Sequence, residues 1–117
     1  MTADGLQILN RANRILSTPA AWNRHDTRIC NSTDRTWSLF CALQVAAVDV
    51  LGKESYRAVA IQEVRFVTED LMKGMNVSIQ HRLTDYNNLR STRFEDIKRV
   101  LKVATDRVSA RLAAHGK

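Results

Sequence analysis

The stretch Trp37–Leu51, WSLFCALQVAAVDVL, decides the fold. It is the longest apolar run in the chain, and only Ser38, Gln44 and Asp49 interrupt it. At 100° per residue its apolar side chains cover nearly the whole circumference, and a helix apolar all round is a buried helix. A bilayer crossing needs about 20 apolar residues, so the run is too short to span one. It reads as the central helix, over about 37–51, of a small all-α domain. Thr36 is placed to cap its start and Gly52 to end it.

The segments on either side follow the helical period. Asp4–Ser17 carries Ile8, Leu9, Ala12, Ile15 and Leu16 on one stripe, with Asp4 as a candidate N-cap and Pro19 as a stop. Glu54–Lys73 carries Tyr56, Ala60, Val64, Val67 and Leu71, and Gly74 follows it. Val59, Ile61, Phe66 and Met72 flank that stripe, so its apolar face is wider than one neighbour requires. A short helix is expected over 77–84, burying Ile79 and Leu83, followed by a turn at Asp85–Leu89. Thr92 and Glu95 have capping-box spacing ahead of a last helix, 93–114, with Phe94, Ile97, Leu101, Ala104, Val108 and Leu112 inward. The expected architecture is therefore all-α: one bundle of four main helices plus a short one, as a single domain over 1–117. Residues 18–36 form an irregular loop anchored by Trp22 and Ile29.

The bulk numbers agree. The chain has 117 residues, enough for one core, and its 44% hydrophobic content is that of a globular protein. One proline and four glycines suit helices better than a many-turned β-sandwich. The opening MTADGLQ shows neither a basic nor an apolar region, so no secretory signal is expected and a cytoplasmic location is. The two cysteines, Cys30 and Cys41, form no framework by spacing, and Cys41 is expected as a reduced, buried thiol.

The net charge is +6, and residues 90–117 hold eight basic side chains against three acidic ones. Arg90, Arg93, Lys98, Arg99 and Lys102 are the candidate contacts for a nucleic acid or another polyanion. Glu95 four before Arg99, and Lys102 four before Asp106, also read as ordinary pairs on a solvated helix face. His25, Asp26, Cys30, Cys41, His81, Asp85 and His115 show no metal-ligand spacing, so no metal or cofactor is expected. Cys30 with His25 and Asp26 is the one compact nucleophile–base group, and it has no oxyanion turn beside it. Tyr86, Asn87 and Asn88, read as a turn, are the polar group most easily joined to His25 and Asp26 in a ligand site.

Cys41-Ala42-Leu43, Tyr86-Asn87-Asn88 and Thr92–Ile97 together resemble a family of small bacterial and phage helical proteins of unknown function. That family shows a Cys-Ala-Leu-Gly-Ala-Leu helix, a Trp-Asn-Asp loop and Thr-x-x-(Asp/Glu)-Val at the last helix. Ile15, Leu16 and Trp22 are similar to its first helix and following tryptophan. The resemblance implies an all-α fold over nearly the whole chain and brings no activity with it. Gln44, Tyr86 and Asn88 depart from the pattern, and Asn88 would lack the charge of any functional Asp there.

Three functions are carried forward. The first is a non-enzymatic protein-interaction module, self-associating through Val59, Ile61, Phe66 and Met72. The second is a nucleic-acid-associated protein using the basic last helix. The third is a small enzyme or ligand binder using the 23–35 loop and the 85–88 turn.

Overall fold

The computed structural model describes residues 4–31 and 33–115, and the side chain of His115 lies outside it, as do residues 1–3, Ser32, Gly116 and Lys117. Five α-helices make up the fold: α1 (Asp4–Ile15), α2 (Leu39–Leu51), α3 (Val59–Met72), α4 (Arg82–Asn88) and α5 (Phe94–His115). A 3-10 turn at Pro19–Ala21 follows α1, near the start of the 18–36 loop. Among the described residues there is no strand, only one isolated bridge between Trp22 and Trp37. The fold is all-α, as the periodicity requires.

The central helix is shorter than expected, beginning at Leu39 rather than Trp37. Its cap is Ser38 and not Thr36: the Ser38 hydroxyl accepts from the Cys41 N–H at 3.1 Å. Gly52, at φ 79°, ends it in the left-handed region, where glycine has no Cβ penalty. Leu39–Ala47 are buried except for half-buried Val45. The last turn emerges, leaving Val48 42% exposed, so burial is not complete along the helix.

The three polar interruptions each have a place. Ser38 caps. Gln44 donates to Ser55 O at 2.9 Å and accepts from Ser55 N at 3.3 Å, which fastens the α2–α3 connection. Asp49 pairs with Arg11 of α1 at 2.8 Å.

α1 lies against α2 and α5, and α3 lies against α5 and α4. Ile8, Leu9, Ala12 and Leu16 meet Leu39, Leu43, Ala46 and Ala47 in one core with Ile61, Val64, Ile97, Val100, Leu101, Ala104 and Val108. Gly5 permits the α1–α5 approach: a Cβ there would lie 3.3 Å from Val108 Cγ1. Lys98 of α5 donates to Asn13 O and Leu16 O, both at 3.0 Å, capping the end of α1.

Several local expectations need correction. α3 starts at Val59, because residues 52–58 form a connection held by Ser55, whose hydroxyl accepts from Ala58 N at 3.1 Å. The short helix is 82–88 instead of 77–84, and it absorbs the expected turn; Ile79 is exposed while Leu83 is buried. Asp85 explains that shift, because its carboxylate accepts from the Gln80 and His81 N–H groups at 2.7 and 3.0 Å ahead of α4. Ile29, expected as an anchor of the loop, is 69% exposed. Thr92 and Glu95 form no capping box: Asp96 Oδ2 accepts from Arg93 N at 2.9 Å, one residue along, and the Thr92 hydroxyl donates to Tyr86 O at 2.8 Å.

The cysteines are also corrected. Cys30 and Cys41 form a disulfide, with Cα atoms 5.5 Å apart. The loop folds back over the start of α2 and brings the two sulfurs together, which sequence spacing alone does not reveal. By its loop length of 11 residues the bridge restricts the unfolded chain by about 3 kcal/mol. Reduction, or Cys30→Ser with Cys41→Ser, is therefore expected to destabilise the chain by about 3 kcal/mol. Denaturant unfolding with and without a reductant checks this, and equal midpoints would mean that the bridge contributes nothing.

Candidate functional site

The 23–35 loop and the α4 helix, far apart in sequence, are brought together. Asn87 is fully buried at their junction. Its side-chain oxygen accepts from the Trp22 indole N–H at 2.7 Å and from the Leu39 N–H at 3.0 Å. Its amide nitrogen donates to Asn23 O and to Asn88 Oδ1, both at 3.0 Å. An amide side chain has two acceptor sites and two N–H donors, so Asn87 is saturated.

Asp26 forms a second knot beside it. Oδ1 accepts from Arg28 N at 2.8 Å and from the Ser38 hydroxyl at 2.9 Å. Oδ2 accepts from the Thr84 hydroxyl at 2.7 Å. The Asp26 backbone pairs with Asn88, whose Oδ1 accepts from Asp26 N at 2.7 Å and whose Nδ2 donates to Asp26 O at 3.0 Å. An aspartate at 88 would lack that second donor, so the uncharged side chain is the one this junction uses.

Of the candidate ligand residues, Asp26, Tyr86 and Asn87 are therefore buried, and Asn88 is engaged with the loop. His25 is exposed and takes its local hydrogen bond through the backbone, from His25 N to Asn23 Oδ1 at 2.9 Å. Asp26, Asn87 and Asn88 are joined through their polar atoms, and His25 makes no side-chain hydrogen bond to them. The Cys30–His25–Asp26 group does not form a nucleophile and base, since Cys30 is in the disulfide. Among the described residues no three His, Cys, Asp or Glu side chains gather as metal ligands.

The five candidate polyanion contacts are mostly occupied. Lys98 caps α1, and burial pushes its ammonium below the ordinary value. Arg99 lies 3.6 Å from Asp96, and Lys102 lies 3.1 Å from Asp106. Arg90 and Arg93 are exposed and make no ion pair among the described residues. Two further basic residues of α5 turn inward. Arg107 lies 3.4 Å from Glu63 and 3.5 Å from Asp70, while Arg111 Nη2 lies 2.8 Å from the buried Glu63 Oε2, though not aligned as a hydrogen bond.

The candidate partner surface divides. Ile61 and Met72 are buried within the chain, at 0% and 1% exposure, so neither belongs to a surface. Val59 and Phe66 are exposed and, seven residues apart, share the outer stripe of α3. Met75 and Val77 are exposed as well, and so is Ile79, which was expected to be buried in the short helix. Their spacing of two was the available signal, obscured by the expectation of a helix there.

The fold defines a small all-α domain whose long loop is fastened to a short helix by a saturated polar junction. The chain belongs to a family described as Family of unknown function (DUF6197), whose model matches residues 2–107. This agrees with the resemblance carried by Cys41-Ala42-Leu43, Tyr86-Asn87-Asn88 and Thr92–Ile97. No curated protein and no solved structure matches.

Two expectations follow from the junction. Asn87→Ala leaves the Trp22 indole and the Leu39 N–H without a partner and is expected to destabilise by about 3 kcal/mol, as measured by denaturant unfolding. A loss below about 1 kcal/mol would mean that the junction is replaceable. Burial pushes the Tyr86 phenol above its ordinary value of 10.0; Asp96 adds to this and Arg99 opposes it. The folded chain then holds that proton longer than the unfolded chain. The contribution is complete below pH 10.0 and is lost as pH rises past it. Tyr86→Phe is expected to flatten the fall of stability above that pH, which unfolding titrations at several pH values would register.

Proposed function

We propose that the chain is a non-enzymatic protein-interaction module that self-associates through the outer side of α3 and the 73–81 connection. One observation carries this reading. Every residue of 73–81 is exposed, including Met75, Val77 and Ile79 at 43%, 39% and 38%. Single exposed apolar residues are ordinary, but three at alternate positions in one short connection mark a surface with something to cover it. The connection leaves α3 at Lys73 and returns at Arg82, whose guanidinium lies 5.6 Å from the centre of the exposed Phe66 ring. The patch therefore extends from the connection to the α3 stripe.

Charge around the patch favours a second copy as the partner. Asp70 lies beside Lys73 at 3.4 Å, and Glu69 beside Arg82 at 3.0 Å. Both signs border the apolar residues, so a twofold contact can set acid against base.

The nucleic-acid reading has less support, because Arg99, Lys102, Arg107 and Arg111 already face carboxylates. An enzymatic reading of the 23–35 loop and the 85–88 segment has less still, because Asp26, Asn87 and Asn88 spend their polar atoms on the junction and Cys30 is in the disulfide. Among the described residues no helix is long and apolar enough to cross a membrane. A cytoplasmic location stays with the proposal, and the disulfide, uncommon in a reducing compartment, is the observation that pulls against it.

Light scattering across protein concentration is the test. The wild-type chain is expected to pass from monomer to dimer with little salt dependence. Phe66→Ser combined with Ile79→Ser is expected to weaken the dimer at least about tenfold, with the helical circular-dichroism signal kept because both side chains are exposed. A wild-type monomer at every concentration would sink the proposal.

A further inference from the structure

A separate feature lies where the loop, α3 and α4 meet. Arg28, Arg65, His81, Arg82 and Thr84 line a hollow of about 140 Å³, with Phe40 at its wall. The three guanidinium groups come from three elements: the loop, α3 and the first residue of α4. Like charges repel, so a fold that gathers three of them needs a reason.

Each is held in place. The Arg28 guanidinium lies 5.4 Å from the centre of the Phe40 ring, and that of Arg82 lies over Phe66. Cations over aromatic faces lose freedom without losing charge. Arg65 donates through Nη1 to Tyr56 O. Arg28 Nη1 lies 3.4 Å from His81 Nε2.

Neutralisation is incomplete. Among the described residues Glu69 pairs with Arg82 at 3.0 Å, and neither Arg28 nor Arg65 has a carboxylate at ion-pair distance. Asp85 is turned to the Gln80 and His81 backbone, and Asp26 to Arg28 N, Ser38 and Thr84. Burial, then Arg82, then Arg28, pushes the Arg65 guanidinium below its ordinary value. An arriving anion would relieve that repulsion.

The backbone adds a second, independent sign. Arg28 is the one non-glycine residue in the left-handed region among those described, at φ 64°. A bulky residue there is strained and persists when its surroundings hold it, as the Asp26 carboxylate does here. Such positions cluster at ligand sites.

We propose that this hollow binds a dianionic tetrahedral oxyanion, free phosphate or the terminal group of a phosphomonoester, through Arg28, Arg65 and Arg82. Guanidinium forks match phosphate oxygens in pairs, and the two arginines without carboxylates match a charge of two better than a carboxylate would. The hollow has room for one such group, with any ester substituent left at the surface. The hollow shares Arg82 with the self-association surface, since that guanidinium lies over Phe66, and salt separates the two: phosphate affinity falls as salt rises, whereas the apolar contact changes little.

The experiment is a titration of the isotope-labelled full chain by heteronuclear NMR at fixed ionic strength. Inorganic phosphate, phenyl phosphate and acetate are the probes. Saturable shifts at Arg28 and Gln80–Thr84 are expected with both phosphates, and at least tenfold weaker ones with acetate. Tighter phenyl phosphate would identify an ester as the ligand, and equal affinities would identify free phosphate. Arg28→Gln and Arg65→Gln are each expected to weaken phosphate at least tenfold, with circular dichroism reporting that the fold is kept, and Arg90→Gln to leave it unchanged. Absence of saturable shifts in the wild-type chain would overturn the proposal. So would acetate binding as tightly as phosphate, or both hollow variants binding like wild type.

Discussion

The fold depends on one side-chain amide having all four of its hydrogen-bonding positions filled. Asn87 joins the loop at Trp22 and Asn23, the start of α2 at Leu39, and its own neighbour Asn88. A buried polar group stabilises only when satisfied, and an unsatisfied one costs more than an apolar residue in its place. The junction is therefore all-or-none. Its geometry helps to fix the path of the segment between α1 and α2, beside the 3-10 turn, the Trp22–Trp37 bridge and the bonds from Arg24 to the Leu89, Arg90 and Thr92 carbonyls. The disulfide and the Asp26 carboxylate extend the same restraint to the far end of that loop.

Much of the architecture could be read from the residues alone, because helical periodicity is local. The stripe Ile97, Leu101, Ala104, Val108 lies where its spacing puts it, and α2 is buried through Ala47 because apolar residues surround it. Boundaries were less legible. The expected start of α3 at Glu54 failed because Gln44, ten residues upstream, holds Ser55 in a connection. The short helix was displaced because Asp85 caps it from inside its own first turn. The broad apolar face of α3 could be covered by two neighbouring helices or by a partner, and for Ile61 and Met72 it is the neighbours within the chain that cover it.

The site was legible in part. Tyr86-Asn87-Asn88 and His25-Asp26 were read as a pair of segments to be joined, and the fold does join them. What sequence could not disclose is that the side chains of Asp26, Asn87 and Asn88 are spent on one another and on the neighbouring backbone. Arg28, Arg65 and Arg82 carried no local signal, since no motif links residues from a loop and two helices. The basic character of α5 misled in the opposite direction: formal charge counts every arginine alike, whereas Arg107 and Arg111 face the buried carboxylate of Glu63.

The contact between α1 and α5 bears on how the chain is made. Helix α1 is covered on one side by α2 but on the other by Val108, and its final carbonyls are closed by Lys98. A ribosome delivers α1 well before those partners. Until α5 has cleared the exit tunnel, the apolar sides of α1 and α3 that it covers have nothing to lie against. The contact between the two helices, which joins Lys98 to Asn13 across 85 residues, is thus a late one, closed only when α5 has been delivered.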